Sequence, residues 1–535
     1  MQNSPTTAVN GCAATARAVS EIEADLRAFE EEERLRLGLE AAPEPWRDPD
    51  VIPFTEEQRA TTTLLFGGLT RMHEVLLEST FERFGYKVKA LACPDTAALQ
   101  WGKEFGNRGQ CNPTYFTVGN LLKYLLELRD GQGMDPADIV RNYVFVTTGA
   151  CGPCRLGSYI TEYRKVLRDA GFGGFRIMDV RKFGEHKRNP DVAGLKLDLP
   201  ITVAGYKCIL AGDVMNLLAC RIRPYEAVPG ATDAAIGECR DILCNAFRRG
   251  KSVRRALRRC RKVLDRVEVN RVIPKPKVAI IGEFWAMTTE GDGNYQLQRF
   301  LESEGAECEI QPVSNFLLYE LWEVIHDTRE RMMLRRRDGR KHKAEKDSPL
   351  VTLAASRLID FISRATFGTY ARAAGLKHHS LPDMDHLASI ARKMYPVELR
   401  GGEGHLEVAK VIEAASRNKA HMVVTVKPFG CMPSSGVSDG IQSLVTARYP
   451  EVNLCAIETS GDGAVGVYSR VQMALFKARA RAREEYEKAL ADNGIDDPEQ
   501  LRQGKRRGKL SSAIYYPRHK VAGTAANALY ELGRK

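Results

Sequence analysis

Thirteen cysteines stand in the 535 residues of this chain, and their surroundings divide them. In TTGACGPCRLGSY, residues 147–159, Cys151 and Cys154 flank Gly152 and Pro153, between a strand-like run and a helix-like one. Cys111 lies in GNRGQCNPTYF, just ahead of a helix, and Cys431 in VKPFGCMPSSG, just after a strand. Glycine and proline at each place keep the loop from continuing as helix and leave backbone amides exposed. Such amides stabilise anions, whether a thiolate or the sulfide of a cluster. Cys93, in ALACPDTAAL, also follows a strand and is a further candidate ligand. Cys208, Cys220, Cys239, Cys244 and Cys260 fall in helical stretches, and Cys308 and Cys455 within strands. Buried cysteine behaves as a small hydrophobe, so those read as packing. Cys12, in a polar arm, is assigned no role.

Three chemistries compete for the first set. A thioredoxin-type dithiol needs Cys151 and Cys154 inside a compact unit of about 100 residues, with an aromatic before the first cysteine. Ala150 stands there instead, Pro200 in DLPIT is the one candidate for the accompanying cis-proline, and Cys111 and Cys431 are left unexplained. A structural zinc site is satisfied by four thiolates, but it usually draws on two short-spaced pairs in small domains lacking a core. Ligands spread over two lobes suit an iron–sulfur cubane in a cleft, which would bring four sulfurs within roughly 6 to 7 Å of one another.

Other residues near the same strand exits are weighed against plain structural roles. Gly402, Glu403, Gly404 and His405 open a helix whose free amides could hold an anion, or simply form a capping turn. Glu283, Trp285 and Glu290 follow a strand ending at Gly282, with a structural role favoured. Arg155 could offset the charge of neighbouring thiolates. Asp292 and Asp462 read as caps of the helices they precede. No catalytic residue is assigned.

The elements that must position these residues alternate. After a polar arm, a charged helix over residues 21–39 and a linker near residues 48–53, the pattern predicts a helix over 56–85, then a strand at 86–92. A loop follows, then a helix over 114–129, a strand at 142–147, a helix over 155–171 and a strand at 175–180. Residues 205–269 read as helical. A second run has strands at 277–282, 306–313, 421–427 and 453–458, helices between them, a helical insertion at 315–395 and a long helix from 467. Strands alternating with helices imply parallel sheets. The expected fold is α/β: a charged arm over residues 1–53, a first lobe over 54–275 with a helical addition, and a second over 276–535.

Length calls for more than one core. No apolar run reaches the ~18 residues of a membrane span and no secretory signal is visible, so a cytoplasmic protein without membrane attachment is expected. Lys and Arg number 79 against 68 Asp and Glu, a net charge of +11. The excess concentrates in stripes at 248–262, 329–346 and 477–483. Basic residues at helical spacing are more often a solvated face than a nucleic-acid footprint. The tripeptide at 250–252 is no P-loop, since its first glycine is replaced by Asn245.

Several linked motifs carry a family resemblance: FTEEQRATTTLLFGGLT, GKEFGNRGQCNPTYFTVGNLLKYL, TTGACGPCRLGSYITEYRKVLRDAGF, GEFWAMTTEGDGN, RGGEGHLEVAK, KPFGCMPSSGVSDGIQS and IETSGDGAVGVYSRVQMAL. From about residue 54 to 479 the chain resembles the iron–sulfur portion of the acyl-CoA dehydratase activase-related family, also called CoA-substrate-specific enzyme activases. These are relatives of 2-hydroxyacyl-CoA dehydratase subunits and double-cubane-cluster reductases. The resemblance implies a 4Fe-4S electron-transfer protein or reductase with Cys111, Cys151, Cys154 and Cys431 as ligands. It also implies a separate actin/Hsp70-like ATPase partner, an acyl-CoA dehydratase component and a homo-oligomer. A single and a double cubane both stay open: the double form needs six thiolates, and five candidates stand at strand exits, Cys93 included.

Overall fold

The computed structural model describes residues 28–29, 32–38, 54–149, 154–180, 194–338, 348–399, 402–416, 418–503 and 507–532. Residues 1–51 form a unit of their own, and what is described of it is helical at 28–29 and 32–36. The remainder is α/β, with two four-stranded, all-parallel sheets flanked by helices.

The first sheet holds β1 (Thr63–Phe66), β2 (Lys87–Ala90), β3 (Tyr143–Thr147) and β4 (Arg176–Asp179) in the order β2-β1-β3-β4. The second holds β5 (Lys277–Gly282), β6 (Glu307–Ile310), β7 (Met422–Pro428) and β8 (Leu454–Thr459) in the order β6-β5-β7-β8. The two orders are the same, so the lobes share one topology although no sequence repeat announces it. Each sheet is covered on both faces, as parallel sheets require. In the first, Leu65, Phe145 and Ile177 pack under helices Asn112–Leu126 and Tyr159–Asp169. Their chain neighbours Leu64, Val144 and Met178 meet Phe54, Tyr86 and Ile201 on the other side. In the second, Val278, Ile280, Val424 and Ile457 face helix Ala464–Asn493, while Ile281 and Val423 face helix His405–Ser416.

Two expectations are corrected. The helix over 56–85 is instead a short 3₁₀ turn, strand β1 and helix Arg71–Arg83. Consecutive threonines disfavour helix through χ1 crowding, and Gly67 and Gly68, the latter at φ 101°, turn the chain between strand and helix. The loop after β2 contains a helix, Thr96–Phe105, capped by Asp95 through Ala98 N–H at 2.9 Å. Pro200 opens helix Leu199–Ile222, where a proline costs no hydrogen bond. Over 199–225 this is the one helix among the described residues long and apolar enough to cross a membrane, yet 61% of its apolar window is buried inside the protein. Its Asp213 accepts N–H bonds from Val313 and Ser314, both at 2.8 Å.

The turn after β1 is closed by a buried carboxyl. Glu74 accepts from Gly68 N–H at 3.1 Å, with its side chain only 5% exposed. Burial pushes its pKa up to about 8, against the partial opposition of Arg71. A carboxyl raised in the folded state lends stability below its unfolded pKa, and that stability is lost as pH rises through the folded value. We therefore expect wild-type stability to fall by a few kcal/mol between about pH 5 and pH 8 through this residue. Glu74→Gln, which keeps an acceptor oxygen, should flatten that fall in urea titrations at the two pH values.

The basic stripe at 253–264 is an amphipathic helix with Ala256, Leu257, Cys260, Val263 and Leu264 buried and its arginines exposed.

Candidate functional site

The carboxyl ends of the two sheets face each other. In open parallel sheets the strand order reverses at one point, here between β1 and β3 and again between β5 and β7, and crevices for ligands open outside the strand ends there. Side chains and backbone from both lobes close this seam. Thr96 donates to Asp292 through both N–H and hydroxyl at 2.9 Å, Arg71 N–H donates to Glu290 at 2.6 Å, and Phe116 packs on Trp285 with ring centroids 5.6 Å apart.

Glu290 and Trp285 thus hold the lobes together, the structural role favoured for them. Asp292 accepts from Thr96 at the start of a helix of the opposite lobe, which Asp95 caps, and Gln296, not Asp292, is the N-cap of the helix that follows. Asp462 is no cap either: Gly463 occupies the N-cap position, and the Asp462 carboxylate pairs with Lys103 across the seam at 3.4 Å. In both cases an acidic residue that a sequence pattern assigns to the nearest helix is drawn to a cation or donor of the facing lobe.

Two of the predicted cysteines meet at this seam. Cys111 is the N-cap of helix Asn112–Leu126, and the N–H of Asn112 donates across the lobes to the carbonyl of Phe429 at 2.9 Å. Gly430, at φ 74°, lies against the Cys111 backbone so closely that an added Cβ would sit 3.3 Å from Cys111 Cα and 3.1 Å from the Gln110 carbonyl. Cys431 follows immediately. Cys154, N-cap of the turn Arg155–Ser158, joins them: Arg155 Nε donates to the Gly430 carbonyl at 3.2 Å, and Cys111 lies close enough to Cys154 for their charges to interact. Cys151 lies outside the described residues.

Two of these thiols have hydroxyl neighbours. Cys111 Sγ is 3.2 Å from the Thr114 hydroxyl and 3.1 Å from that of Tyr159, and Cys431 Sγ is 3.3 Å from that of Ser434. Burial raises the pKa of Cys154, although the Leu156 N–H lowers it in part. Burial and the nearby Glu283 carboxyl push Cys431 up much further. In a dithiol enzyme the depressed thiol would be that of Cys151, outside the described residues. Charge compensation by a metal centre is one way such buried thiols become thiolates.

Zn–S bonds near 2.3 Å place the sulfurs of a tetrahedral site about 3.8 Å apart. Among the described residues, the one group of three or more such ligand atoms all within 4.8 Å of one another is His326, Glu330 and Glu398. The sulfurs of Cys111, Cys154 and Cys431 are not all within that distance of one another.

Beside the thiols lies a pair of buried carboxyls. Glu403 accepts from Phe284 N–H at 2.6 Å, and Glu283 accepts from Ala286 N–H at 2.8 Å as the N-cap of a short helix. Burial raises both, and the charge of Glu283 raises Glu403 further. The loop that carries Glu403 reaches the Cys431 turn, since a Cβ on Gly402 would meet Pro433 at 2.8 Å. His405 points away into an aromatic group with Trp322 and Tyr319, 4.5 and 5.2 Å between centroids. It packs; it does not line the seam.

Cys93 stands apart. Its thiol is surrounded by Glu290, Glu74 and Thr289, its pKa pushed up to about 11 chiefly by burial, and it borders a separate cavity of about 400 Å³ shared with His73 and Asp213.

Sequence reasoning missed one signal. Cys111-Asn-Pro-Thr and Cys431-Met-Pro-Ser repeat one local pattern, and Cys151-Gly-Pro begins it a third time. In the two described copies, cysteine is the N-cap, proline fills an early helical position that needs no N–H, and the hydroxyl three residues on meets the sulfur. The pattern turns a helix start into a sulfur cradle, adding the positive end of the helix dipole where one forms. Neither a protein-family model nor any curated protein matches this sequence.

Proposed function

We propose that the chain is an iron–sulfur electron-transfer protein or reductase, with Cys111, Cys151, Cys154 and Cys431 holding a 4Fe-4S cluster between its two lobes. The observation that carries the reading is the meeting of Cys111 and Cys431, remote in sequence, where two carboxyl sheet edges close on each other with Cys154 beside them. When bound, such a cluster supplies one-electron chemistry. The protein's own part is to exclude water from buried sulfurs, to place the hydroxyls of Thr114, Tyr159 and Ser434 beside them, where each could donate to a thiolate, and to hold the Arg155 cation at the join. Each of these tunes potential. The partners would be an ATP-hydrolysing activase of the actin/Hsp70-like class and an acyl-CoA dehydratase-type acceptor.

Because ligation needs thiolates and burial raises the thiol pKa of Cys154 and Cys431, loading should release protons and strengthen with pH. Anoxic reconstitution with ferrous iron and sulfide between pH 6.5 and 8.5 tests this. Iron and acid-labile sulfide that co-purify, and that load more completely at the higher pH, are the expected result. Zinc without sulfide would support a structural scaffold instead.

A further inference from the structure

A second cavity, of about 680 Å³, lies away from the cysteines, over the face of β5 and β6. Helix His405–Ser416 supplies Lys410 and Glu413, the following loop Lys419, and residues 516–521 close the side with Arg518, His519 and Lys520. Its volume is in the range of small-molecule sites.

Its charges do not cancel. Of the three carboxylates on its wall, Glu309 is taken by Lys277 at 2.7 Å, and Glu413 by Lys419 at 2.6 Å and Lys410 at 3.3 Å. Asp383 caps the N–H groups of Asp385 and His386. Arg221, Arg518 and Lys520 have no carboxylate in ion-pair reach among the described residues. Arg221 donates to the Lys377 carbonyl at 2.6 Å and lies 3.9 Å over the ring of Tyr516, which itself stacks on His519 at 4.9 Å. Buried Nε2 of His379, on the same wall, has no hydrogen-bond partner. Glu309 draws Arg221 at longer range as well as pairing with Lys277, but the cations on this wall still outnumber its carboxylates. Cations in excess in a concave site repel one another, and an unpaired buried nitrogen costs free energy; both are relieved by one kind of ligand, an anion.

We propose that this cavity binds a small molecule carrying two or more linked phosphate groups. The excess cations enter from separate elements, Arg221 from helix Leu199–Ile222 and Arg518 and Lys520 from the C-terminal segment, so a single carboxylate cannot satisfy them together. A chain of phosphates can, and guanidinium and ammonium groups are its usual partners. The same cations act, after burial, on the two imidazoles. Burial together with Arg221 and Lys410 holds His379 down to about 4, while Glu309 and Asp213 pull it the other way. Burial and Lys277 hold His519 to about 4 against Glu307 and Glu309. Anion binding should therefore bring proton uptake with it.

Calorimetric titration of the full chain with inorganic phosphate, pyrophosphate and ATP, in two buffers of different ionisation enthalpy, tests this whether or not iron is loaded. Pyrophosphate and ATP should bind at least about tenfold tighter than phosphate, with a buffer-dependent heat that reports proton uptake. The variant Arg518→Gln/Lys520→Gln, at two exposed positions, should lose about tenfold or more, and Arg518→Lys/Lys520→Arg should recover most of it. Arg254→Gln/Arg258→Gln, on the separate basic helix, should bind as wild type. Absence of pyrophosphate and ATP binding at about 1 mM, equal binding by the Arg518/Lys520 variant, or loss in the Arg254/Arg258 variant would overturn the assignment. None of these outcomes bears on the cluster, whose readout is iron and sulfide content.

Discussion

Replacing Cys111 by serine is expected to abolish or strongly diminish the visible iron–sulfur absorption of anoxically prepared protein. Serine keeps a hydroxyl where the sulfur meets Thr114 and Tyr159, and keeps the N-cap of helix Asn112–Leu126, so the fold should survive. On the proposed ligand set it removes one thiolate of four, which would leave an iron without its protein ligand and exposed to solvent and oxygen. Cys111 also discriminates between chemistries, since it has no part in an exchange between Cys151 and Cys154. Cys455→Ser, in strand β8 and away from the seam, is the control and should load as wild type. Full iron and sulfide content in the Cys111 variant, with wild-type absorption, would remove Cys111 from the ligand set and the cluster reading with it. A wild type without iron that turns over in a thiol–disulfide exchange assay would make CGPC a dithiol.

Much of this site is legible in the sequence because its residues stand at strand exits, and strand exits are readable where a β-branched run ends in glycine or proline. β5 illustrates this: VAII followed by Gly282, whose Cβ would fall 2.1 Å from the Val426 carbonyl, can end only there. β1 is not legible in the same way. Its four residues lie between helix-compatible stretches, and only pairing with β2 and β3 makes it a strand. The roles of Asp292, Asp462 and Glu290 are hidden for a related reason. Each is satisfied by the opposite lobe, and a sequence pattern sees only neighbours along the chain. The shared strand order of the two lobes is equally invisible, because topology is set by which strands pair and not by residue identity.

The second large effect concerns two glycines that no cysteine argument singles out. Helices Thr96–Phe105 and Asn112–Leu126 pack backbone to backbone, with no side chains between them at their crossing. A Cβ on Gly119 would lie 1.8 Å from the Ala98 carbonyl oxygen, and one on Gly102 would lie 1.9 Å from that of Tyr115. Backbone cannot rotate aside as a side chain can, so Gly119→Ala must drive the helices apart, at a cost we expect to be about 3 kcal/mol or more. The consequence reaches the site, because residues 106–111 join the two helices and end at Cys111, whose neighbour Asn112 is bonded to the second lobe. Separating the helices therefore shifts a proposed ligand without touching it, and iron content should fall together with the midpoint of urea denaturation. Gly237→Ala is the matched comparison: it lies within helix Ala231–Arg248 with nothing within 4 Å of its added Cβ. There the methyl has room and helix propensity alone operates, so stability should rise by about 1 kcal/mol with loading unchanged. If Gly119→Ala proved as stable and as iron-rich as Gly237→Ala, the close crossing would not be what positions Cys111.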